Sequence, residues 1–140
     1  MEVWEDLKNM RNCPIEVSLN YLGKKWTMQI IRDLFKGKKR FSEFLDSNPQ
    51  ISTKMLSLRL KELQESGLIK KTIISTTPVK IEYSLTQKGK ALNRILFRLA
   101  EFSLKNYPAE VYYNAPKSIE SDILNLKDFF EANFDRYVTG

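Results

Sequence analysis

The sequence contains no histidine and a single cysteine, Cys13, among its 140 residues. Without histidine, the chain cannot build a Ser-His-Asp triad, a Cys-His pair, a histidine general base or a histidine-containing zinc site. One cysteine is too few for an all-cysteine zinc site, an iron–sulfur cluster or a disulfide within the chain. The sequence also lacks a glycine-rich phosphate loop and clustered carboxylates. It therefore predicts a protein that is not an enzyme and that holds neither a metal nor a cofactor.

Long apolar runs are missing too, and none approaches the roughly 18 residues of a membrane span. The first ten residues include Glu2, Glu5 and Asp6, whereas a signal peptide begins with a basic segment. Scarce cysteine is typical of proteins in reducing compartments. We therefore expect a cytoplasmic protein of about one domain that has no membrane partner.

Positive charge is concentrated in the middle of the chain. Residues 1–23 carry a net charge of −2, residues 24–98 carry +11 from seventeen basic and six acidic residues, and residues 99–140 carry −3. A basic segment between acidic ends indicates a surface that meets a polyanion. Nucleic acid, an anionic membrane and an ordinary solvated lysine-rich surface all fit the charge alone, so the architecture has to discriminate among them.

Apolar residues at helical spacing predict five helices outside the central part of the chain. Their apolar faces are Val3, Trp4, Leu7 and Met10; Ile15, Leu19 and Leu22, ending near Gly23; Trp26, Ile30, Ile31 and Leu34, ending at Gly37; Leu92, Ile95, Leu96, Leu99 and Phe102, after a Thr86 cap; and Ile119, Ile123, Leu126, Phe130 and Phe134, in a helix from Ser118 to about Phe134.

Two further helices in the central part are separated by a tight turn. Ser42 is a predicted N-cap for a short helix that holds Phe44, and Asn48-Pro49 forms the turn. Ser52 is the predicted N-cap of a longer helix that ends at Gly67. The apolar side chains of this longer helix fall on one face, at Leu56, Leu60 and Leu63.

The periodicity then changes from helix to strand. Ile69 to Ser75 is a predicted strand, and apolar and polar residues alternate strictly from Val79 to Leu85. Thr76-Thr77-Pro78 joins the two strands as a hairpin. The predicted fold class is therefore mainly α with a small β-hairpin wing (α+β), in the order of a winged helix-turn-helix. In such folds the second helix of the motif enters the DNA major groove, which is wide enough for it.

The sequence resembles the HxlR family of winged-helix transcription regulators, which are related in architecture to the MarR regulators. The resemblance runs from Cys13 to Phe102 and rests on an ordered series of segments. These are Cys13-Pro14-Ile15-Glu16, Gly23-Lys24-Lys25-Trp26-Thr27, Ile30-Ile31-Arg32-Asp33-Leu34, Arg40-Phe41-Ser42-Glu43-Phe44, residues 51–63, Gly67-Leu68-Ile69, residues 79–86 and Lys88-Gly89-Lys90-Ala91-Leu92.

The resemblance implies a homodimeric, DNA-binding repressor or activator that pairs through helices at its N- and C-terminal ends. We expect a DNA-binding domain over residues 1–104, including an N-terminal dimerisation helix. Residues 105–140 are predicted to be a helical extension with a role in dimerisation. Phe102 stands where family members often have tryptophan, and Leu104 to Gly140 extend beyond the usual end of the family.

The helix over about residues 52–66 is the predicted recognition helix. A step of about 100° per residue places Lys54, Ser57 and Lys61 within about 60° of one another, away from the leucine face. We predict that this strip contacts DNA rather than being an ordinary solvated face, together with the residues at its ends and edges. These are Ser52 and Thr53 at the helix start, Leu58, which suits a thymine methyl or another helix equally, and Arg59, which suits a carboxylate or a phosphate better than a base.

The hairpin over about residues 69–85 is the predicted wing. Lys80, near its tip, is expected to contact the DNA backbone or the minor groove, and Arg40, before the short helix, is expected to reach a phosphate. Lys38 and Lys39 are weaker candidates, and Lys70 and Lys71 fit plain solvent exposure equally well. Four aromatic residues are predicted to pack in the core instead of stacking on bases, namely Trp26, Phe41, Phe44 and Tyr83.

Two features indicate how the protein could be regulated. Some members of the HxlR family, which the sequence resembles, sense electrophiles or oxidants at an N-terminal cysteine, and Cys13 stands at that position. A redox-sensor role for Cys13 and a buried packing role between dimer helices are both open. The extension carries aromatic side chains that could enlarge the dimer interface or line a ligand pocket, and packing is the favoured interpretation. They are Tyr112, Tyr113, Phe129, Phe130, Phe134 and Tyr137.

The predicted partners are double-stranded DNA, a second copy of the chain, and a small-molecule or oxidant signal. A twofold dimer would bind an inverted-repeat operator with half-sites about 10–11 base pairs apart, or a multiple of that. The alternative from another class is a winged-helix interaction module for an acidic protein partner, with only non-specific binding to DNA.

Overall fold

A computed structural model describes the backbone of residues 8–138 and the side chains of residues 8–132. The elements in chain order are α1 (Pro14–Leu22), α2 (Thr27–Phe35), α3 (Phe41–Ser47), α4 (Thr53–Glu65), β1 (Ile69–Thr76), β2 (Val79–Leu85), α5 (Gln87–Lys90), α6 (Asn93–Asn106), α7 (Pro108–Val111) and α8 (Ile119–Val138). The mainly helical class with a two-stranded antiparallel hairpin is confirmed. The predicted helix through Val3, Trp4 and Leu7 lies outside the described residues.

The core lies between α2, α4, the base of the hairpin and the helices that follow it. Leu56, Leu60 and Leu63 are all buried, which confirms the predicted apolar face of α4. Full burial of one such side chain stabilises a fold by about 1.5–3 kcal/mol. The same core includes buried side chains from every neighbouring element, including Ile30, Ile31, Phe44, Leu68, Ile69, Leu85, Leu92, Leu96, Phe97 and Phe130.

A buried carboxylate joins α2 to α3. Asp33 is 0 % exposed, and its Oδ1 accepts hydrogen bonds from Nε and Nη2 of Arg32 at 3.0 and 2.9 Å. Its Oδ2 accepts a bond of 2.8 Å from Nδ2 of Asn48, the residue that ends α3. The same amide donates to the Phe44 carbonyl at 2.9 Å, and its Oδ1 accepts from Arg32 Nη2 at 3.1 Å. Asn48 therefore donates a hydrogen bond to the buried Asp33 carboxylate and also ends α3.

The hairpin is attached at its base and projects at its tip. Ile69 pairs with Leu85 at the base, where both side chains are buried, and Thr76 pairs with Val79 at the tip. The Tyr83 amide donates to the Lys39 carbonyl at 2.8 Å, so the segment before α3 runs beside β2. Toward the tip the apolar side chains are exposed, namely Ile73, Ile74 and Val79. The outer half of the wing therefore extends into solvent.

The predicted cap of the first motif helix is wrong. Helix α3 begins at Phe41, so Ser42 lies inside the first turn, and its side chain is exposed. Glu43 performs the capping role, since its Oε1 accepts from the Arg40 amide at 3.1 Å and from the Lys39 amide at 3.3 Å. A carboxylate in the first turn satisfies amide donors that have no partner within the helix.

The helix predicted after the Thr86 cap is two helices. Thr86 does cap α5, because its Oγ1 accepts from the Gly89 amide at 3.1 Å and donates to the Gly67 carbonyl at 2.6 Å. A Cβ at Gly89 would lie 2.1 Å from the Leu68 carbonyl oxygen, so α5 is pressed against the chain that enters the hairpin. After two turn residues, α6 begins at Asn93, whose buried Nδ2 donates to the Phe130 carbonyl of α8 at 3.1 Å. Both helices contact α8, and α5 packs in addition against the chain that enters the hairpin.

The last helix begins one residue later than predicted and continues to Val138. Ser118 precedes it, and its Oγ accepts from the Ser121 amide at 3.1 Å. Phe130 is buried, and its ring lies edge-on to Phe35 of α2 at 5.7 Å between centroids. The short helix α7 was not predicted. None of the helices in the described part of the chain combines the length and apolar character of a membrane span.

We expect Asn48→Ala to lower the free energy of unfolding by about 1–3 kcal/mol, because it leaves an oxygen of the buried Asp33 without its amide donor. Urea unfolding of purified protein measures the change. Asn106→Ala is the matched control, since the Asn106 amide also donates to the carbonyl four residues back, at 2.9 Å, but lies on the surface. Equal stability losses in the two variants would contradict a special role for the buried bond.

Candidate nucleic-acid interface

The two motif helices α3 and α4 are joined by a turn that is fixed at both ends. Asn48 ends α3, and its carbonyl accepts from the Ile51 amide at 3.0 Å. Ile51 is buried in the core, and the Ser52 Oγ accepts from the Met55 amide at 3.0 Å, which confirms Ser52 as the N-cap of α4. The side-chain bond satisfies one of the amide donors left free at the helix start. The turn therefore sets where α4 begins and which face it buries.

Helix α4 presents a polar strip opposite its buried leucines. The strip consists of five exposed side chains, those of Thr53, Lys54, Ser57, Leu58 and Lys61. Leu58 is 45 % exposed, so the rest of the chain does not cover it. Within the described part of the chain, neither Lys54 nor Lys61 forms an ion pair, so both ammonium groups are available to a phosphate or a base edge.

Arg59 lies off this strip and is held within the fold. Its side chain is 12 % exposed, its Nε donates to the Lys25 carbonyl at 2.8 Å, and its Nη1 lies 3.1 Å from Glu62 Oε2. Glu62 also accepts from Lys24 Nζ at 3.3 Å. The carboxylate pairing expected for Arg59 is therefore present. These bonds attach the segment before α2 to α4 and direct the guanidinium away from Lys54 and Lys61.

The wing places Lys80 next to its tip. Lys80 is exposed and stands across the ladder from Ser75, one register step from the terminal pair. Lys70 and Lys71, near the base of β1, are exposed as well. The contact of Lys80 with a DNA backbone or minor groove stays a prediction.

Arg40 and Lys39 share one carboxylate that the sequence analysis did not single out. Arg40 Nη2 lies 3.6 Å and Lys39 Nζ 3.8 Å from Oε1 of Glu82 on β2. The Arg40 side chain remains 43 % exposed, at the residue that precedes α3. Glu82 falls on the solvent side of an alternating strand, and its two basic partners are distant in sequence, so only the folded chain reveals the pairing.

The aromatic residues predicted to pack in the core do so. Phe44 is fully buried, and its ring lies 6.2 Å from that of Tyr83. Burial raises the pKa of the Tyr83 phenol above its ordinary value. Trp26 and Phe41 are half-buried against the same core. None of these four rings is a free stacking platform for bases.

Cys13 lies at the N-cap position of α1, directly before Pro14, which begins the helix. Its side chain is partly exposed. The position allows access from solvent. The sequence contains no second cysteine, so an oxidised Cys13 would bond a small thiol or another chain.

Two helices expose apolar faces that the motif itself does not use. Helix α1 has no buried residue, and its exposed apolar side chains are Ile15, Val17, Leu19 and Tyr21. Helix α6 exposes Ile95, Leu99 and Phe102, although its other side buries Leu96, Phe97 and Leu104. An open apolar groove of about 780 Å³ between α2, α6 and α8 is lined by Leu99, Leu126 and Phe129, among others. Exposed apolar surface of this kind marks interaction sites.

The comparisons with known proteins agree with this architecture. The family model for the HxlR-like helix-turn-helix matches residues 21–111. An uncharacterised HTH-type transcriptional regulator from Bacillus subtilis, YvaP, is 45 % identical over 92 residues, which cover 65 % of this chain and 85 % of that protein.

Two solved structures are similar to this chain. The reduced form of the transcriptional regulator YodB from B. subtilis has a TM-score of 0.61 and 38 % identity, over 69 % of this chain and 95 % of YodB. The redox regulator HypR in its reduced form has a TM-score of 0.65 and 36 % identity, over 71 % of this chain and 100 % of HypR. Both similarities cover the part of the chain that contains the polar strip and the wing.

Proposed function

The chain belongs to the HxlR-like helix-turn-helix family and is a DNA-binding transcriptional regulator, and we propose that it acts as a homodimer that recognises a specific operator. In this proposal α4 enters the major groove, and the wing contacts the backbone or the minor groove. The bacterial relatives are regulators of transcription, and a protein that acts on DNA in such a cell works in the cytoplasm.

One observation carries the proposal, namely the polar strip on α4. Its exposed hydroxyls and ammonium groups stand opposite three buried leucines, and the Ser52 cap and the Arg59 bonds fix the helix that holds them. A rigid helix with short polar side chains and lysines suits hydrogen bonds to base edges. The ammonium group of Lys80 and the guanidinium of Arg40 suit the phosphates on either side.

Selection from randomised duplex DNA at near-physiological salt tests the proposal. We expect an inverted repeat whose half-sites are about 10–11 base pairs apart, or a multiple of that. Recovery of no motif, with binding that depends only on salt, would contradict operator recognition. It would favour a winged-helix module for an acidic protein partner instead.

Two lysine variants separate base contacts from backbone contacts. Lys61→Ala is expected to reduce the preference for the selected site over random DNA, by roughly 1–3 kcal/mol for a good base contact. Lys80→Ala is expected to weaken binding to all DNA alike. It is expected to reduce the slope of log K against log salt by about 1.8 for a bound dimer, because each of the two subunits loses one phosphate contact. Fluorescence anisotropy over a salt series measures both quantities.

Lys88→Ala is the control, because Lys88 is an exposed lysine on α5, outside the polar strip, the wing and the proposed dimer contact. It removes the same charge and is expected to leave preference and salt slope close to those of the parent protein. If Lys61→Ala lowered binding to both kinds of DNA equally, Lys61 would not contact a base. If Lys80→Ala behaved like the control, Lys80 would lie outside the interface.

The exposed apolar faces of α1 and α6 support the homodimer. A solvent-facing helix that buries none of its residues gains little from folding against its own chain, so α1 needs another surface to cover Ile15 and Leu19. Helix α6 offers a second apolar face at Leu99 and Phe102. We propose that these two faces, with the extension over residues 105–140, form the contact between two copies.

Leu99→Glu is expected to weaken self-association by at least about tenfold, because a dimer would bury the new charge without a partner. Sedimentation equilibrium measures the association. Ile74→Glu on β1 is the matched control, since Leu99 and Ile74 are both 52 % exposed and Ile74 lies outside the proposed contact. A parent protein that sediments as a monomer, or a Leu99→Glu variant that associates normally, would contradict the proposed contact.

We propose that an oxidant signal acts at Cys13. The partly exposed thiol at the start of α1 lies in the helix that the dimer proposal uses, and a similar structure is that of a redox regulator. Oxidation would join two Cys13 thiols between subunits, or one of them to a small thiol. Either product adds bulk or a covalent link within the proposed interface.

Diamide treatment tests this part of the proposal. We expect it to change the affinity of the parent protein for the selected site, together with a disulfide-linked species on a non-reducing gel or a mass shift after addition of a small thiol. Cys13→Ser is expected to bind DNA like the reduced parent protein and to ignore diamide. DNA binding by the parent protein that diamide leaves unchanged would exclude a redox role and favour packing.

A further inference from the structure

A second basic surface lies at the base of the hairpin, apart from the polar strip of α4. It is a groove of about 450 Å³ between the segment that joins α2 to α3, the two strands and α5. Five of its lining residues are lysines and none is acidic; the five, here called the lysine groove, are Lys36, Lys38, Lys39, Lys70 and Lys90. A volume of this size falls in the range of sites for small molecules.

Backbone bonds fix the positions of these lysines. The amides of Lys36 and Lys38 donate to the carbonyls of Arg32 and Asp33 at 3.0 and 2.9 Å. Gly37 between them has a φ of +91°, in the left-handed region that favours glycine, so the turn is compact. The Tyr83 amide holds Lys39 along β2. The groove is therefore held together by secondary structure and is not a chance meeting of long side chains.

Lys70 and Lys90 close the other side. Lys70 is paired across the hairpin with Ser84, whose side chain also lines the groove, and Lys90 is the last residue of α5. Burial, and to a lesser extent the charge of Lys70, hold the pKa of Lys90 below its ordinary value. The like charges along the groove thus raise the free energy of the folded chain when no anion is bound. A bound anion would offset that increase.

None of the described residues that line the groove carries a carboxylate. Glu82 lies 3.8 Å from Lys39, but it also lies near Arg40 and does not line the groove. A cleft lined by one sign of charge focuses the electrostatic field and concentrates counter-ions. Ammonium groups that approach from several directions suit an anion with many oxygen atoms, since each lysine binds phosphate as a point charge.

We propose that the lysine groove binds a small anion that carries two or more phosphate groups, as a signal separate from the operator. None of the residues of α4 lines the groove. Lys70 is six residues from the tip of β1, which corresponds to about 20 Å of strand. The groove therefore lies at the opposite end of the wing from the proposed DNA contact of Lys80, and the site does not depend on that contact.

The probe is inorganic tripolyphosphate, titrated into the full chain by calorimetry at near-physiological salt. We expect saturable binding of one molecule per chain and much weaker binding of monophosphate. The double variant Lys70→Gln/Lys90→Gln is expected to weaken the binding by at least about tenfold, since it removes two charged donors. The matched control Lys25→Gln/Lys88→Gln loses the same charge from the segment before α2 and from α5, at residues that do not line the groove.

DNA binding distinguishes the small anion from the DNA backbone as the source of phosphate. The groove variant and its control are expected to bind the selected operator with the same affinity and salt slope. If the groove variant alone lost DNA affinity with a smaller salt slope, the lysines would contact the DNA backbone and the proposal would be overturned. Equal tripolyphosphate binding by the two double variants would overturn it as well, because the anion would then follow net charge.

Two further measurements distinguish failure of the anion-site proposal from failure of the DNA-binding proposal. Amide chemical shifts of the parent protein are expected to move around Ser84 and Lys70 on addition of tripolyphosphate, a test that needs no variant. Shifts spread over α4 instead would contradict the site. The Lys54→Gln/Lys61→Gln variant is expected to lose operator binding and keep tripolyphosphate binding, so failure of the DNA proposal would not be mistaken for failure of this one.

Discussion

The position of α4, the proposed recognition helix, depends on one buried carboxylate. Asp33 has no contact with solvent, and a buried charge is tolerated only when donors surround it. Arg32 supplies two of those donors from the same helix, and Asn48 supplies the third from the end of α3. Because Asn48 also closes α3 and accepts the first bond of the turn, the angle between α2 and the motif is set by this cluster. The start of α4 at Ser52 follows from it.

Different faces of helix α4 contribute to the stability of the fold and to the proposed recognition of DNA. The leucine face supplies apolar burial, and Arg59 with Glu62 ties the helix to the segment before α2. Lys54, Ser57 and Lys61 take part in neither task. Substitutions on the strip can therefore change what the helix binds with little effect on the fold.

Local chemistry made most of the fold predictable, and non-local contacts limited the rest. The 3.6-residue period of Leu56, Leu60 and Leu63 and the strand alternation to Leu85 gave the correct elements, since each pattern reflects burial on one face. Ser42 and Glu43 are both residue types that favour the start of a helix. The extended backbone of Arg40 makes Arg40 the N-cap residue, which places Ser42 inside the first turn and Glu43 in the capping position. The break after α5 depends on the Leu68 carbonyl beneath Gly89, which no local pattern encodes. The sequence also could not predict that Lys70 and Lys90 line the same groove, because they are twenty residues apart.

The distribution of acidic residues explains why the basic middle segment keeps a positive field. Of the six acidic residues in residues 24–98, four have structural partners at junctions between elements, namely Asp33, Glu43, Glu62 and Glu82. Asp33 and Glu62 pair with Arg32 and Arg59, Glu82 pairs with Arg40, and Glu43 accepts backbone amides at the start of α3. The lysines on the strip and at the wing tip face solvent without such partners in the described part of the chain. In the proposed complex, long-range attraction for DNA therefore comes from these lysines, while Arg32 and Arg59 contribute to the fold.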